Sequence, residues 1–323
     1  MQTRIAAIAL GLVCAAGLVR AQDPNAPANS PAETPASPPA ATPPNPLPAA
    51  SEAKPALGTI TVEARRQLGE AVSHFVSGVV AHYGNDSLAR WDVPVCPLVA
   101  GLPRERGEYI LWRISQIAAA AHVPLAGEKC RPNLYVVVTA QPDLLLKKWW
   151  RRDPNLYDTG NGMGYVSAFL RSTHPIRGWY NAELLAADGG AVTPDALIAG
   201  LSGAALETMQ VPAIQISTAT RLEHSALKGL SSVIIVVDTN RARGVTVGQL
   251  ADYIAMTGLA EIRIDADPGS APSILSLFEP SGKHPPGLTS WDQALLESLY
   301  ATDQASVLQI SNIKTDMLKH IAP

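Results

Sequence analysis

Charge is scarce in this 323-residue chain: Asp, Glu, Lys and Arg make up 16% of it, and the net charge is −3. A nucleic-acid partner calls for a large basic surface to displace phosphate counterions, so that class is disfavoured. Cysteine is scarcer, with 3 residues, and the 7 histidines are scattered, which argues against a Cys-rich zinc module. No Cys-x-x-Cys spacing occurs, so a thiol oxidoreductase is equally disfavoured. Gly160-Asn-Gly-Met-Gly164 lacks the Lys-Ser/Thr of a phosphate loop and reads as a surface loop or hairpin. Gly200-Leu-Ser-Gly203 is followed by Ala204 where a nucleophile elbow needs its last Gly. There is no internal repeat. Beyond the first 21 residues no apolar run approaches the roughly 18–20 residues of a membrane helix. Hydrophobic residues are plentiful at 47%, enough for a sizeable core and too many for general disorder.

The first 57 residues divide in two. Arg4 supplies a positive start, Ile5 to Val19 an apolar stretch too short to span a membrane, and Val19-Arg20-Ala21 a small-x-small cleavage site. Residues 1–21 are therefore expected to be a signal peptide, removed on export to the periplasm or beyond. Lipid attachment at Cys14 is the rival reading, and Val13 before it fits that poorly. Arg4 and Arg20 leave with the signal, so 25 basic residues fall to 23 against 28 acidic ones. Residues 22–57 are almost wholly Pro, Ala, Ser, Thr and Asn, too poor in apolar surface to offset ordering entropy. This disordered Pro/Ala-rich tail is either a spacer that tethers the domain or a solvated tail with no partner.

Cleavage removes Cys14 and leaves Cys96 and Cys130. An even pair in an exported protein is expected to oxidise, closing a loop of about 35 residues worth about 3–4 kcal/mol in the chain-entropy description. Two buried free thiols are the alternative.

Residues 58–323 pattern as a single α+β domain. Leu68, Val72, Phe75 and Val79 mark one face of a helix, with Gly84 as its stop. Val93 to Leu98, interrupted by Pro94 and Pro97, is an edge strand at best. Ile110, Ile114, Ile117 and Ala121 mark a second helix, ending near Val123-Pro124. Asn133 to Thr139 reads as a buried strand, and Ser232 to Asp238, apolar on both faces, as a central one. Residues 153–190 read as loop-rich and 194–209 as helical. Thr246-Val-Gly-Gln249 and Thr289-Ser-Trp-Asp292 are capping boxes, the first opening a helix that Gly258 should end. Val307, Ile310, Ile313 and Met317 mark the last helix.

A short helix from Pro142 to Trp150 ends in the most conspicuous cluster, Lys147, Lys148, Trp149, Trp150, Arg151 and Arg152. Cations around two tryptophans suit an anionic surface, a glycan or a lipid headgroup. The same residues also fit a structural role. Leu145 with Trp149 and Leu146 with Trp150 are i, i+4 pairs that can pack inward, while the cations stay wet and favour the helix C-terminus.

Arg90-Trp-Asp-Val-Pro94, the Ile110 to Ala121 helix, Pro132-Asn-Leu-Tyr-Val-Val-Val138, Gly248-Gln-Leu-Ala-Asp-Tyr-Ile-Ala-Met256, Pro272-Ser-Ile-Leu275, and Leu288 to Tyr300 form an ordered set of segments. Together they resemble a family of secreted proteobacterial proteins of unknown function with a zincin-like, metalloprotease-related layout. The resemblance covers about half of the domain and implies a zincin-like mixed sheet packed with helices. In that fold, one helix carries His-Glu-x-x-His. Here those three positions fall on Gly248, Gln249 and Asp252. Gly248 has no ligand atom, and the Gln249 amide has no useful basicity. No His-Glu-x-x-His occurs elsewhere, and His74, His82, His122, His174 and His284 have no metal-ligand spacing. Asp238, Asp252, Asp265 and Asp267 lie near this helix and could bind Ca²⁺ or act as an acid–base pair, although Asp265 and Asp267 better fit an Asx turn before Pro268-Gly269. Leu250 and Ile254, four apart, should face the core, with Asp252 directed elsewhere.

No catalytic residue, metal ligand or cofactor is therefore assigned. The expectation is a non-catalytic exported domain that binds a protein or other envelope component, or is itself a structural envelope protein held by its stalk. The alternative is a secreted hydrolase, metal-assisted or Asp/His-dependent, with an atypical site.

Overall fold

A computed structural model describes residues 62–82, 87–152, 162–186, 192–193, 213–214, 223–224, 226–280 and 284–322. The expected signal peptide (1–21), Pro/Ala-rich tail (22–57), helix stop at Gly84 and helix at 194–209 lie outside these residues. In chain order the helices are α1 (Val62–Val79), α2 (Arg104–Ala120), α3 (Pro142–Arg152), α4 (Gly162–Arg171), α5 (Val247–Leu259), α6 (Ser290–Ala301) and α7 (Gln309–Ile321). The strands are β1 (Pro97–Ala100), β2 (Leu134–Thr139), β3 (Ile176–Ala186), β4 (Val192–Thr193), β5 (Ala213–Ile214) and β6 (Ala226–Asp238). A 3-10 turn covers Ile274–Phe278.

The principal sheet has the order β1-β2-β6-β3. β2 pairs in parallel with β1 and β6, and β3 pairs antiparallel with β6, giving an α+β fold with a mixed sheet. β6 is central because both of its faces are apolar. Val233, Ile235 and Val237 enter the main core, and Ile234 and Val236 enter a second cluster with Leu146, Phe169 and Trp179. β1, which begins at Pro97, lies at the sheet's edge, where a missing amide donor is tolerated. The main core joins the sheet to α1, α2, α5, α6 and α7 through residues such as Phe75, Ile114, Ile254, Leu295 and Ile313. Cys96 and Cys130 form a disulfide with a Cα–Cα distance of 6.0 Å, tying the start of β1 to the approach to β2.

Local end signals act where the sequence places them. Thr246 and Gln249 form a full capping box on α5, as do Thr289 and Asp292 on α6. α2 ends through His122, at φ 59°, with the Val123 amide donating to the Ala118 carbonyl at 2.8 Å and the His122 amide to Ala119 at 3.2 Å. α5 runs one residue past Gly258. That glycine sits against the sheet, where a Cβ would come 3.1 Å from Leu134 Cδ2.

The region expected to be loop-rich, 153–190, instead contains α4 and the 11-residue β3. Helix α4 begins inside the glycine cluster, so residues 162–164 are helical rather than loop. Gly178 interrupts the apolar pattern of β3, yet the strand requires it: a Cβ there would lie 2.8 Å from the Tyr180 hydroxyl and 2.9 Å from Thr257 Cγ2. Among the described residues no helix is long and apolar enough to cross a membrane.

Candidate functional site

The N-terminal half of α5 is where the chemistry suggested by the sequence can be judged. Gln249 is spent on structure: its side chain completes the α5 cap, and its Nε2 donates to the Pro285 carbonyl at 2.7 Å. Gly248 lies opposite Tyr109, whose hydroxyl would be 3.5 Å from a Cβ at that position. Ile254 is fully buried and Leu250 packs half-buried on the core, as their spacing implies.

Asp252 departs from expectation. It points inward and is 4% exposed. Arg113 of α2 donates from Nε to Oδ1 in a short contact and from Nη2 to Oδ2 at 3.2 Å. The Leu288 amide donates to Oδ2 at 2.6 Å. Gly287 closes over the same oxygen, where a Cβ would fall 2.6 Å away. The periodicity of α5 cannot show this, because the partner that compensates the carboxylate lies 139 residues away. Both carboxylate oxygens are occupied, and the hydrogen bond to Asp252 is the main cause of Arg113's raised pKa.

Arg113 also borders a groove of about 220 Å³ between α2 and α6, lined by Gln116, Ile117, Leu288, Gln293 and Leu296 among others. Along α2, residues 109, 112, 113 and 116 fall on one strip of the helix. Tyr109 and Trp112 are 40% and 52% exposed, with ring centroids 5.6 Å apart and planes tilted by 44°. Sequence reasoning missed this strip. Its signal was two large aromatics on the helix face opposite Ile110, Ile114 and Ile117.

The other singled-out residues do not converge on this groove. In α3, Lys147, Lys148, Arg151 and Arg152 are exposed, while Trp149 and Trp150 are half-buried against the cluster around Leu146 and Trp179. Asp238 pairs with Arg241 at 3.3 Å and Asp265 with Arg263 at 2.9 Å. Asp267 accepts from the Gly269 amide at 2.8 Å, the expected Asx turn. Among the described residues no group of three His, Cys, Asp or Glu side chains is placed to hold a metal ion.

Two further buried acids belong to the framework. Asp292 accepts from Ser273 Oγ at 2.5 Å, the Ile274 amide at 2.8 Å and the Thr289 amide at 2.9 Å. Burial raises its pKa, and these hydrogen bonds oppose the shift. Glu261, just beyond α5, is 4% exposed, and burial pushes its carboxyl up to about 7 despite the Lys228 charge.

Across β3, α5 and residues 262–266, a smaller cavity of about 50 Å³ is lined by His174, Tyr253 and Thr257. His174 stacks on Tyr253 at 5.9 Å, and burial depresses its pKa. Comparison with protein families, curated proteins and solved structures finds no match to this chain.

Proposed function

We propose that this protein is an exported, non-catalytic binding module of the cell envelope, with a zincin-like layout whose catalytic helix has been converted to a structural one. The observation that carries the reading is the state of α5. At the three positions where a zincin holds its metal and base, Gly248 offers no ligand, Gln249 closes the helix cap, and Asp252 has both oxygens engaged by Arg113 and Leu288. A general base or a metal ligand needs a lone pair directed at open space. Asp252 has an ion pair on one side and the Gly287–Leu288 backbone on the other. The Cys96–Cys130 disulfide supports an oxidising location, periplasmic or secreted, and the absence of a long apolar helix among the described residues is compatible with it.

Metal analysis of freshly purified mature protein tests the reading. Substoichiometric zinc is expected. One zinc per chain, lost together with a hydrolytic activity on chelation, would overturn it in favour of a metal-assisted hydrolase.

A further inference from the structure

We propose that the outward face of α3 docks this protein on an anionic phospholipid surface. Lys147, Lys148, Arg151 and Arg152 would meet the headgroups, and Leu144 would enter the interfacial layer between them. The inference deepens the binding-module reading by naming the partner.

Helix geometry sets the arrangement. At about 100° per residue, the order around α3 is Lys147, Arg151, Leu144, Lys148 and Arg152, an arc of about 140°. All five are exposed, and Leu144, at 58%, stands in the middle of the arc. On the opposite side Leu146 is fully buried in the cluster with Phe169 and Trp179. Trp149 and Trp150 flank that buried side, half-buried against the same cluster. The inward face is thus committed to folding, and the cations take no part in it.

The helix's own acid leaves the cations unpaired. Asp143 stands four residues before Lys147, a spacing at which surface ion pairs form. Its partner is instead Arg177 of β3, 3% exposed, which donates from Nη2 to Asp143 Oδ1 at 3.0 Å. Among the described residues none of the four cations of the arc is paired with a carboxylate, and Arg151 donates from Nε to the Lys147 carbonyl at 3.3 Å. Asp238 and Asp265 have arginine partners of their own. Arg171 is exposed at the end of α4, which covers the same cluster as α3, and adds a fifth cation. With Asp153 and Asp158, residues 143–171 hold five cations against three acids, in a chain whose net charge is −3.

The leucine selects the partner. Cations alone suit any polyanion, because a soluble one neutralises them equally well. It would leave Leu144 in water. A bilayer interface offers phosphates to the cations and an acyl boundary to the leucine. Tryptophans at the border of such a face suit the headgroup level.

The test is co-sedimentation of the mature protein with vesicles of phosphatidylglycerol and phosphatidylcholine in equal parts, and with phosphatidylcholine alone. Pelleting with the anionic vesicles only is expected. Lys147→Ser combined with Lys148→Ser should weaken the partition by about tenfold or more. Leu144→Ser should weaken it by about threefold or more. Arg104→Ser combined with Arg106→Ser removes the same charge from exposed positions of α2 and should leave it unchanged. No pelleting with anionic vesicles, or pelleting undiminished in the lysine double variant, would overturn the assignment. Pelleting insensitive to Leu144→Ser would overturn the bilayer in favour of a soluble polyanion. Zinc content of the same protein separates this proposal from the reading beneath it. One zinc per chain with pelleting intact overturns the non-catalytic reading and leaves α3 as the docking face. Substoichiometric zinc without pelleting overturns the docking alone.

Discussion

Glu261→Gln is the perturbation whose consequence follows most directly from the structure. The residue stands between α5 and the short bridge of Ile262 with Val80, and its backbone carbonyl accepts from the Ala81 amide at 3.0 Å. Its side chain is carried into the interior with that backbone, and burial raises the carboxyl from 4.5 to about 7. The sign of the linkage is set by which state holds the proton. Below about pH 4.5 both the folded and unfolded chains are protonated, and no penalty exists. Between about pH 4.5 and about pH 7 the unfolded chain releases its proton while the folded one keeps it, so stability falls as pH rises. Above about pH 7 the loss is complete and constant.

A gap of about 2.5 units at 1.36 kcal/mol per unit gives a total of about 3 kcal/mol. The glutamine variant has no such proton. Urea denaturation of both proteins from about pH 4 to about pH 8 should show the variant gaining about 3 kcal/mol relative to wild type, mostly between pH 5 and 7. Asp292 and Glu279, whose carboxyls burial also raises, act in both proteins and cancel in the difference. Two parallel stability curves would refute the reasoning, because they would mean that Glu261 titrates alike in the folded and unfolded states.

Three other outcomes are expected. Asp252→Ala should cost about 2–4 kcal/mol in chemical denaturation. It strands the Leu288 amide and leaves Arg113 without its partner, although partial exposure of Arg113 keeps the loss below that of a fully buried pair. A loss under about 0.5 kcal/mol, the range of an ordinary surface change, would show that the carboxylate is not held as described. Replacing Cys96 and Cys130 together by Ser should lower stability by about 3–4 kcal/mol, and thiol titration of the denatured, unreduced mature protein should find no free thiol. Intact-mass measurement of protein from the envelope fraction should place the N-terminus at Gln22, and a species retaining residues 1–21 would contradict export with cleavage.

What the sequence determined by itself is what short-range chemistry decides. Thr246 with Gln249 and Thr289 with Asp292 are three residues apart, so each cap is complete within one helical turn. Ser232 to Asp238 could only be central, because a strand apolar on both faces must be covered on both. Ile110, Ile114 and Ile117 fixed the inward face of α2 in the same way. Tertiary structure decided the rest, wherever a residue's role depends on a distant partner. Gly178 and Asn181 break the pattern of β3, and the strand forms because Tyr180 and Thr257 fill the space at the glycine while Asn181 bonds Ser232 at 2.9 Å. Asp252 lies on a polar position of α5, and Arg113 from α2 with the Leu288 amide turns it inward. Tyr109 and Trp112 are left exposed by the tertiary packing, while Ile110, Ile114 and Ile117 of the same helix are buried in the core. A buried carboxylate is stable only where compensating donors meet it, and an aromatic is exposed only where no neighbour covers it. Both conditions join segments more than a hundred residues apart, beyond the reach of local periodicity.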